Sequence, residues 1–170
     1  MHISIFIGLG ANLPHDRFGS PRETLEAALI ELGRHGIETV RVSPWYRTAP
    51  VPASDQPWYV NAVAEVASGL SADALLEELH AVEADFGRAR TVLNAARPID
   101  LDLLDFHGEI APGGPGQATL PHPRLVGRAF VLLPLADLAP DWRHPSTATA
   151  IRDLIGALPA DQTAERMMSR

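Results

Sequence analysis

Two aspartates, Asp100 and Asp102, lie in a stretch over 99–104 whose other residues are apolar. Successive side chains of a β-strand point to opposite faces, so a strand here places both carboxylates on one face, with Cα atoms about 7 Å apart. Paired carboxylates on a rigid element offer hard oxygen ligands for one or two Mg²⁺ ions and for phosphates that the ions bridge. The alternative is a half-buried strand whose acids face water, because strand alternation produces such pairs by default.

Arginine is the only strongly basic residue type in this chain, which has fourteen arginines and no lysine. Five of them lie around the paired aspartates: Arg88, Arg90, Arg97, Arg124 and Arg128. The planar guanidinium matches phosphate oxygens, so this clustering favours a site for metal and phosphate, although a coding bias also explains the missing lysines. A P-loop lysine and a Schiff-base lysine are both excluded, and the net charge of −7 argues against a non-specific nucleic-acid binder.

Other side chains stand where they could serve a ligand, each with a simpler structural interpretation. His122 lies between two prolines that restrict its backbone, which suits hydrogen bonding or proton handling, although a lone loop histidine is usually only solvated. Tyr59 and Asn61 share one face of a predicted strand, where they could bind a flat heterocycle or merely pack across strands. His80 and Glu83 share one flank of a predicted helix, and two solvated side chains are the simpler interpretation.

Hydrophobic periodicity predicts the elements that position these residues. Strands are expected over 2–9, 38–47, 58–68 and the aspartate stretch, and helices begin after Ser20, with a capping box, and after Ser71. The order βαββαβ predicts an α+β, ferredoxin-like sandwich in which helices cover one face of an antiparallel sheet. A helix over 131–138 and a last helix ending near 158 add a C-terminal helical extension.

The connections and the composition complete this outline. Glycines over 8–12 predict a turn, the prolines of 48–57 predict a loop, and 107–116 is expected to be a surface loop. A length of 170 residues predicts one domain over 1–160, and 161–170 is expected to be a frayed tail. Cysteine is absent, and no apolar run approaches the length of a membrane span, so the expected location is the cytoplasm.

Taken in order, the motifs resemble one family, the 6-hydroxymethyl-7,8-dihydropterin pyrophosphokinases of folate synthesis. The resemblance runs from residue 8 to about residue 145, and the ordered set is far more specific than any one of its parts. Its motifs are Gly10-Ala11-Asn12-Leu13, Tyr46-Arg47-Thr48-Ala49-Pro50, the stretch 55–63, Phe86-Gly87-Arg88, the aspartate stretch, Pro121-His122-Pro123-Arg124 and Arg128-Ala129-Phe130. Family membership implies a ferredoxin-like α+β sandwich and transfer of pyrophosphate from ATP to the pterin hydroxymethyl group, with release of AMP.

The resemblance also implies roles for individual residues. Asp100 and Asp102 would bind two Mg²⁺ ions that bridge the phosphates of the co-substrate ATP. Arg88 and Arg97 would neutralise the transferred group, and His122 would hydrogen-bond the phosphate chain. The other implied contacts are His80, Arg90, Leu103 and Arg128 to ATP, and Thr48, Val51, Tyr59, Asn61 and Phe130 to the pterin, with Glu83 as a supporting residue.

The chain departs from the family pattern over 91–96, which is about one residue shorter than in typical members. Leu93 stands in place of a basic residue and Asn94 in place of an aromatic, so a lid over ATP would have one charge fewer. A divergent paralogue that acts slowly or on a different pterin, and a non-catalytic sensor of pterin or nucleotide, therefore stay open as alternatives. The expected partners are small molecules, with no nucleic acid and no membrane. A monomer is expected, and oligomerisation stays open.

Overall fold

The computed structural model describes residues 3–50, 52–87 and 98–168. Its strands are β1 (Ile5–Ala11), β2 (Glu38–Val42), β3 (Tyr46–Thr48), β4 (Tyr59–Ala67), β5 (Asp100–Phe106), β6 (Ala111–Gly114), β7 (Gln117–Leu120) and β8 (Ala164–Arg166). Its helices are α1 (Pro21–Arg34), α2 (Ala72–Asp85), α3 (Ala129–Leu138) and α4 (Ile151–Gly156). None of the helices in these ranges is long and apolar enough to cross a membrane.

The main sheet is antiparallel at every pairing, and β4 lies at its centre. Along the sheet the order is β5, β1, β4, β3 and β8, and β2 pairs with β4 beside β3. The strands β1 and β4 pair over their full overlap, from Ile5 opposite Val66 to Ala11 opposite Val60. β6 and β7 form a separate hairpin. The molecule is therefore a mixed α+β protein with helices packed on an antiparallel sheet.

The helices α1 and α2 cover one face of the main sheet. The predicted capping box is present at α1, where the Ser20 hydroxyl accepts from the Glu23 amide and the Glu23 carboxylate accepts from the Ser20 amide. The apolar stripe of each helix then meets alternate residues of β1, β4 and β5 in one buried cluster. Ser20 and Ser71 are the N-cap residues of α1 and α2, which confirms the two predicted helical starts.

The opposite face of the sheet, which we call the site face, is covered by α3 over only part of its length. Here Phe6, Val63 and Leu104 pack against α3, Trp142 and the start of α4 in a second buried cluster. The remaining part of the site face carries the residues of β1, β4 and β5 that precede or follow these apolar positions. This uncovered part of the site face lies at the base of a cleft.

Several predicted boundaries and connections are wrong. The first strand continues through Gly8 and Gly10 and ends at Ala11, and the strand predicted over 38–47 is broken into β2 and β3. Part of the expected surface loop at 107–116 is strand, because 111–114 forms β6 and pairs with β7. The tail predicted to fray contains β8, which adds to the edge of β3. Each of these elements depends on backbone hydrogen bonds that local side-chain periodicity does not reveal.

Candidate active site

A cleft of about 760 Å³ lies over the uncovered part of the site face. Strands β1, β4 and β5 form its base, the beginning of α3 and the loop before it form one side, and α2 with β7 forms another. The loop that follows β3 lines the cleft as well. Its volume is within the usual range for small-molecule sites, about 300 to 1,000 Å³.

Two glycines of β1 form part of the base of the cleft and add no side chains to it. Gly10 is paired with Asp100 and Gly8 with Asp102, so both glycines and both aspartates lie on the site face. A Cβ added at Gly10 would lie 2.8 Å from Asn61 Nδ2 and 3.9 Å from the Asp100 Cβ. Glycine is therefore needed at position 10 for the Asn61 side chain to lie where it does.

Asn61 is fixed in the base by hydrogen bonds on both ends of its carboxamide. Thr48 Oγ1 donates to Asn61 Oδ1 at 2.5 Å, and Asn61 Nδ2 donates to the Leu9 carbonyl at 3.3 Å. Both side chains are buried, although both line the cleft. A carboxamide held in this way presents one fixed orientation to a ligand.

The start of α3 brings a cation and an aromatic ring to the cleft. The Arg128 guanidinium lies 5.2 Å from the centre of the Phe130 ring. Burial lowers the pKa of Arg128, and Arg124 lowers it further, whereas Asp102 and Asp100 raise it. The charges of Arg124, Asp100 and Asp102 thus all act on Arg128.

His122 is oriented by the backbone around it. Its own amide donates to the Leu104 carbonyl at 2.9 Å, and its Nδ1 accepts from the Arg124 amide at 3.1 Å. A neutral ring that accepts at Nδ1 carries its proton on Nε2, so Nε2 is the nitrogen that can donate to a ligand. Burial lowers the pKa of His122, and this effect is opposed by Asp102.

Glu83 connects α2 to the strand that carries the aspartates. Its side chain is 1% exposed, and its Oε2 accepts from the Leu101 amide at 2.9 Å. Leu101 lies between Asp100 and Asp102, so this bond fixes β5 at the point where both carboxylates leave it. The simpler interpretation of Glu83 as a solvated side chain is wrong, because the side chain is buried.

The arrangement of carboxylates fits a magnesium site. Asp100 and Asp102 are partly buried, share the site face of β5 and line the cleft. Carboxylate oxygens are the hard ligands that Mg²⁺ prefers, and the opposing glycines leave the base free of side chains on β1.

Each predicted site residue within the described ranges lines this one cleft. These residues are Thr48, Tyr59, Asn61, His80, Glu83, Asp100, Asp102, Leu103, His122, Arg128 and Phe130. They come from β3, β4, α2, β5, the loop after β7 and α3. Four further predicted residues, Val51, Arg88, Arg90 and Arg97, lie outside the described residues.

Sequence reasoning missed the contribution of β7. Gln117 and Thr119 line the cleft, and the Ala118 amide between them donates to Asp73 Oδ1 at 2.8 Å, which holds the hairpin against the start of α2. A signal for this hairpin was present, since Gly113-Gly114-Pro115-Gly116 is a run of turn residues between two short segments. Gln56, in the loop after β3, was also missed.

Comparisons with known proteins assign the chain to a family. Residues 6–140 match the family model described as 7,8-dihydro-6-hydroxymethylpterin-pyrophosphokinase. A 2-amino-4-hydroxy-6-hydroxymethyldihydropteridine pyrophosphokinase of Pseudomonas aeruginosa is 40% identical over 156 residues, which cover 91% of each chain. One of the same name from Synechocystis is 39% identical over 150 residues, covering 88% of this chain and 73% of the relative. The chain belongs to the 7,8-dihydro-6-hydroxymethylpterin-pyrophosphokinase family.

Proposed function

We propose that the cleft over the site face is the active site in which this chain carries out its family's reaction. As a member of this family, the chain transfers the pyrophosphoryl group of ATP to the hydroxymethyl group of 6-hydroxymethyl-7,8-dihydropterin in folate synthesis, and AMP is released. One observation carries the assignment to this cleft: the eleven described residues predicted for the substrates, the metal ions and their support all line it. No feature of the described residues favours the alternatives of a divergent paralogue or a non-catalytic sensor.

We propose that Asp100 and Asp102 hold two Mg²⁺ ions. Two carboxylates on one strand face, beside Arg128 and His122, give the mixture of charges that a metal and polyphosphate site requires. When bound, such ions neutralise phosphate oxygens and stabilise charge that develops during phosphoryl transfer. The residues of the chain hold the ions and restrict where the phosphates can lie.

We propose that the phosphate chain lies between β5 and the start of α3. His122 donates from Nε2 to a phosphate oxygen, and the Arg128 guanidinium offers a planar pair of donors on the same side. We also assign His80, Leu103 and Arg90 to ATP binding. Arg88 and Arg97 act on the transferred group. The last three of these five residues rest on the family resemblance.

We propose that the pterin ring lies over β4, between Tyr59 and Phe130. Aromatic rings on both sides of a flat heterocycle give stacking contacts, and the carboxamide of Asn61 reads the polar edge of the ring. Thr48 fixes that carboxamide through its hydroxyl. Val51 is assigned to the same pocket by resemblance.

The chemistry is transfer of a pyrophosphoryl group between two oxygens. The pterin hydroxymethyl oxygen forms a bond to the β-phosphorus of ATP and loses its proton. The bond between that phosphorus and the oxygen bridging to the α-phosphate breaks, so AMP leaves with the bridging oxygen. Alignment of the two substrates and compensation of charge account for the acceleration, and no covalent enzyme intermediate is needed.

The same family scheme supports proposals for the architecture. We propose that the order β5, β1, β4 and then β2 with β3 is the ferredoxin-like arrangement, extended by α3, α4 and β8. Residues 1–160 are proposed to form one domain. The protein is proposed to act as a monomer.

The identity of the nucleotide product tests the function. Purified protein incubated with ATP, Mg²⁺ and 6-hydroxymethyl-7,8-dihydropterin is expected to form AMP in equal amounts with the pterin pyrophosphate. Chromatography of the nucleotides separates AMP from ADP. ADP as the sole product would contradict attack at the β-phosphorus, and binding of pterin without any turnover would favour a sensor.

A further inference from the structure

The C-terminal segment, which we define as residues 162–167, is attached to two sides of the cleft. It lies outside the residues 6–140 that match the family model, and it contains β8. Gln162 contacts the residues that begin α3. The residues after it contact β3 and its flanking residues, and Arg166 also contacts Asp137 of α3. Both attachment points carry residues that line the cleft.

Gln162 holds the backbone on either side of Arg128. Its Oε1 accepts from the Ala129 amide at 2.8 Å, and its Nε2 donates to the Gly127 carbonyl at 2.6 Å. The carboxamide therefore bridges the residue before Arg128 and the residue after it. Because both bonds are made by one planar group, they fix the backbone from which the Arg128 side chain leaves.

This contact also replaces a missing helix cap. Arg128 is the N-cap residue of α3 and makes no capping hydrogen bond with its side chain. An N-cap side chain normally accepts from one of the first free amides of the helix, and here Gln162 accepts from Ala129 instead. The N-cap position can therefore be occupied by an arginine that faces the cleft and lies against Phe130.

The rest of the C-terminal segment fixes the edge strand β3. Ala164 pairs with Thr48, the Ala49 amide donates to the Thr163 carbonyl at 3.0 Å, and the Met167 amide donates to the Trp45 carbonyl at 2.7 Å. Without this pairing β3 would be held on one side only, by β4. The strand is short, so the added ladder restrains Thr48, which orients Asn61.

An ionic contact joins the two attachments. Asp137 of α3 accepts from Arg166 Nη2 at 2.7 Å through one oxygen and from the Tyr46 hydroxyl through the other. The Arg166 guanidinium also lies 6.0 Å from the centre of the Tyr46 ring. One carboxylate thus links β8, α3 and β3.

We propose that Gln162 is a positioning residue for substrate binding, acting through Arg128 and Phe130 at the start of α3. The inference rests on the proposed function, because it concerns how that site holds ATP and the pterin. Loss of the Gln162 bonds frees the backbone of 127–129 and lets the guanidinium and the ring leave their places. Small displacements of binding groups are costly when a site works by alignment.

The test compares Gln162→Met, which keeps length and removes both bonds, with Glu165→Gln, an exposed change on β8 as the matched control. Two measurements do not depend on turnover: calorimetric affinity for α,β-methylene ATP with Mg²⁺, and hydrogen exchange at the Ala129 amide. For Gln162→Met we expect affinity to fall about tenfold and exchange to accelerate about tenfold or more. For Glu165→Gln we expect both to stay within about twofold.

Either of two results overturns the inference: unchanged exchange at Ala129, or unchanged affinity for the analogue in Gln162→Met. If that variant folds poorly, Ala129→Pro is the second test, since proline suits the first helical position and removes the N–H that Gln162 accepts. The same loss of affinity is expected there, and wild-type affinity overturns the inference. Formation of AMP by the wild type is measured separately, so failure of the proposed function is distinguished from failure of this one.

Discussion

Two parts of the site face differ although the same strands form them. Under α3, β4 and β5 present Val63 and Leu104, which are buried in an apolar cluster. Two residues earlier on the same strands and the same face lie Asn61 and Asp102, which line the cleft. The strand backbone directs both pairs of side chains to the same face, because side chains on one face recur every second residue.

The difference shows that residue type decides which part of a sheet face a helix covers. Val63 and Leu104 contribute burial of apolar area, whereas a polar side chain under α3 would need a buried partner. The covered part should therefore respond to substitution mainly in stability. The open part should respond mainly in activity, and variants of closely spaced residues can test this division.

The largest effect is expected at Asp102. Asp102→Asn keeps the shape of the side chain and removes the charge proposed to hold Mg²⁺. We expect the rate of AMP formation to fall at least about a hundredfold, because metal and charge stabilisation supply much of such catalysis. The melting temperature should stay close to that of the wild type, because the change leaves the strand pairing of β5 intact. Activity within a few fold of wild type would contradict the metal assignment.

Asp105, three residues further along β5, should show the opposite behaviour. Its carboxylate is buried and accepts from Trp142 Nε1 at 2.8 Å and from the Gly108 amide at 2.9 Å. Asp105→Ala leaves both donors without this acceptor, and we expect the free energy of unfolding to fall by about 2 to 4 kcal/mol. Denaturant unfolding measures the loss, and kcat/KM should stay within a few fold where the variant is folded. If Asp105→Ala were as stable as the wild type but inactive, Asp105 would belong with the residues of the cleft and not with those that stabilise the fold.

Local patterns were sufficient to predict most of the elements that carry the site. The capping box at Ser20 and the alternation around Asp100 depend on neighbours in sequence, and the structure confirms both predictions. Those residues assigned from the family resemblance that lie in the described ranges converge on one cleft, because the motif order preserves the topology that brings β4, β5 and α3 together. Their individual roles stay predictions.

The parts that sequence reasoning missed depend on distant pairing. β8 has little apolar periodicity of its own, and it becomes a strand because β3 offers an unpaired edge more than a hundred residues earlier in the chain. Gln162 likewise gains its role from Gly127 and Ala129, which nothing in its own neighbourhood indicates. The sequence predicts a turn at Gly8 and Gly10, whereas in the structure both lie in β1 and Gly10 makes room for Asn61.

A smaller effect is expected at Gly10, where a methyl group tests how closely the base of the cleft is packed. In Gly10→Ala, the new Cβ would meet Asn61 Nδ2 at 2.8 Å, so the carboxamide must shift from the position in which Thr48 and the Leu9 carbonyl hold it. We expect the KM for the pterin to rise about tenfold, because the group proposed to read its edge is displaced. Gly8→Ala is the control, since its Cβ would meet Leu104 at an ordinary 3.5 Å. Equal KM values for the two variants would mean that the position of Asn61 does not matter.

The smallest effect is expected on the other face of the sheet, away from the cleft. His35, at the end of α1, lies with Nδ1 2.5 Å from Glu78 Oε2 on α2. The bond to Glu78 raises the pKa of His35, and burial opposes this rise. Because the folded-state pKa is raised, the stabilisation is fully present below about pH 6.5 and is lost as pH rises through the raised pKa.

His35→Gln should therefore lower the melting temperature more at about pH 5.5 than at about pH 8.5, with a difference in free energy below about 1 kcal/mol, as for other partly exposed pairs. Thermal unfolding of wild type and variant across this range measures it. Glu78→Gln should weaken the same pH dependence and leave the part that Glu31 contributes, since Glu31 also raises the pKa of His35. If the melting temperatures of wild type and His35→Gln changed in parallel with pH, the contact between His35 and Glu78 would not contribute to stability. Because neither residue lines the cleft, kcat/KM should be unchanged, which separates this contact between α1 and α2 from the part of α2 that lines the cleft.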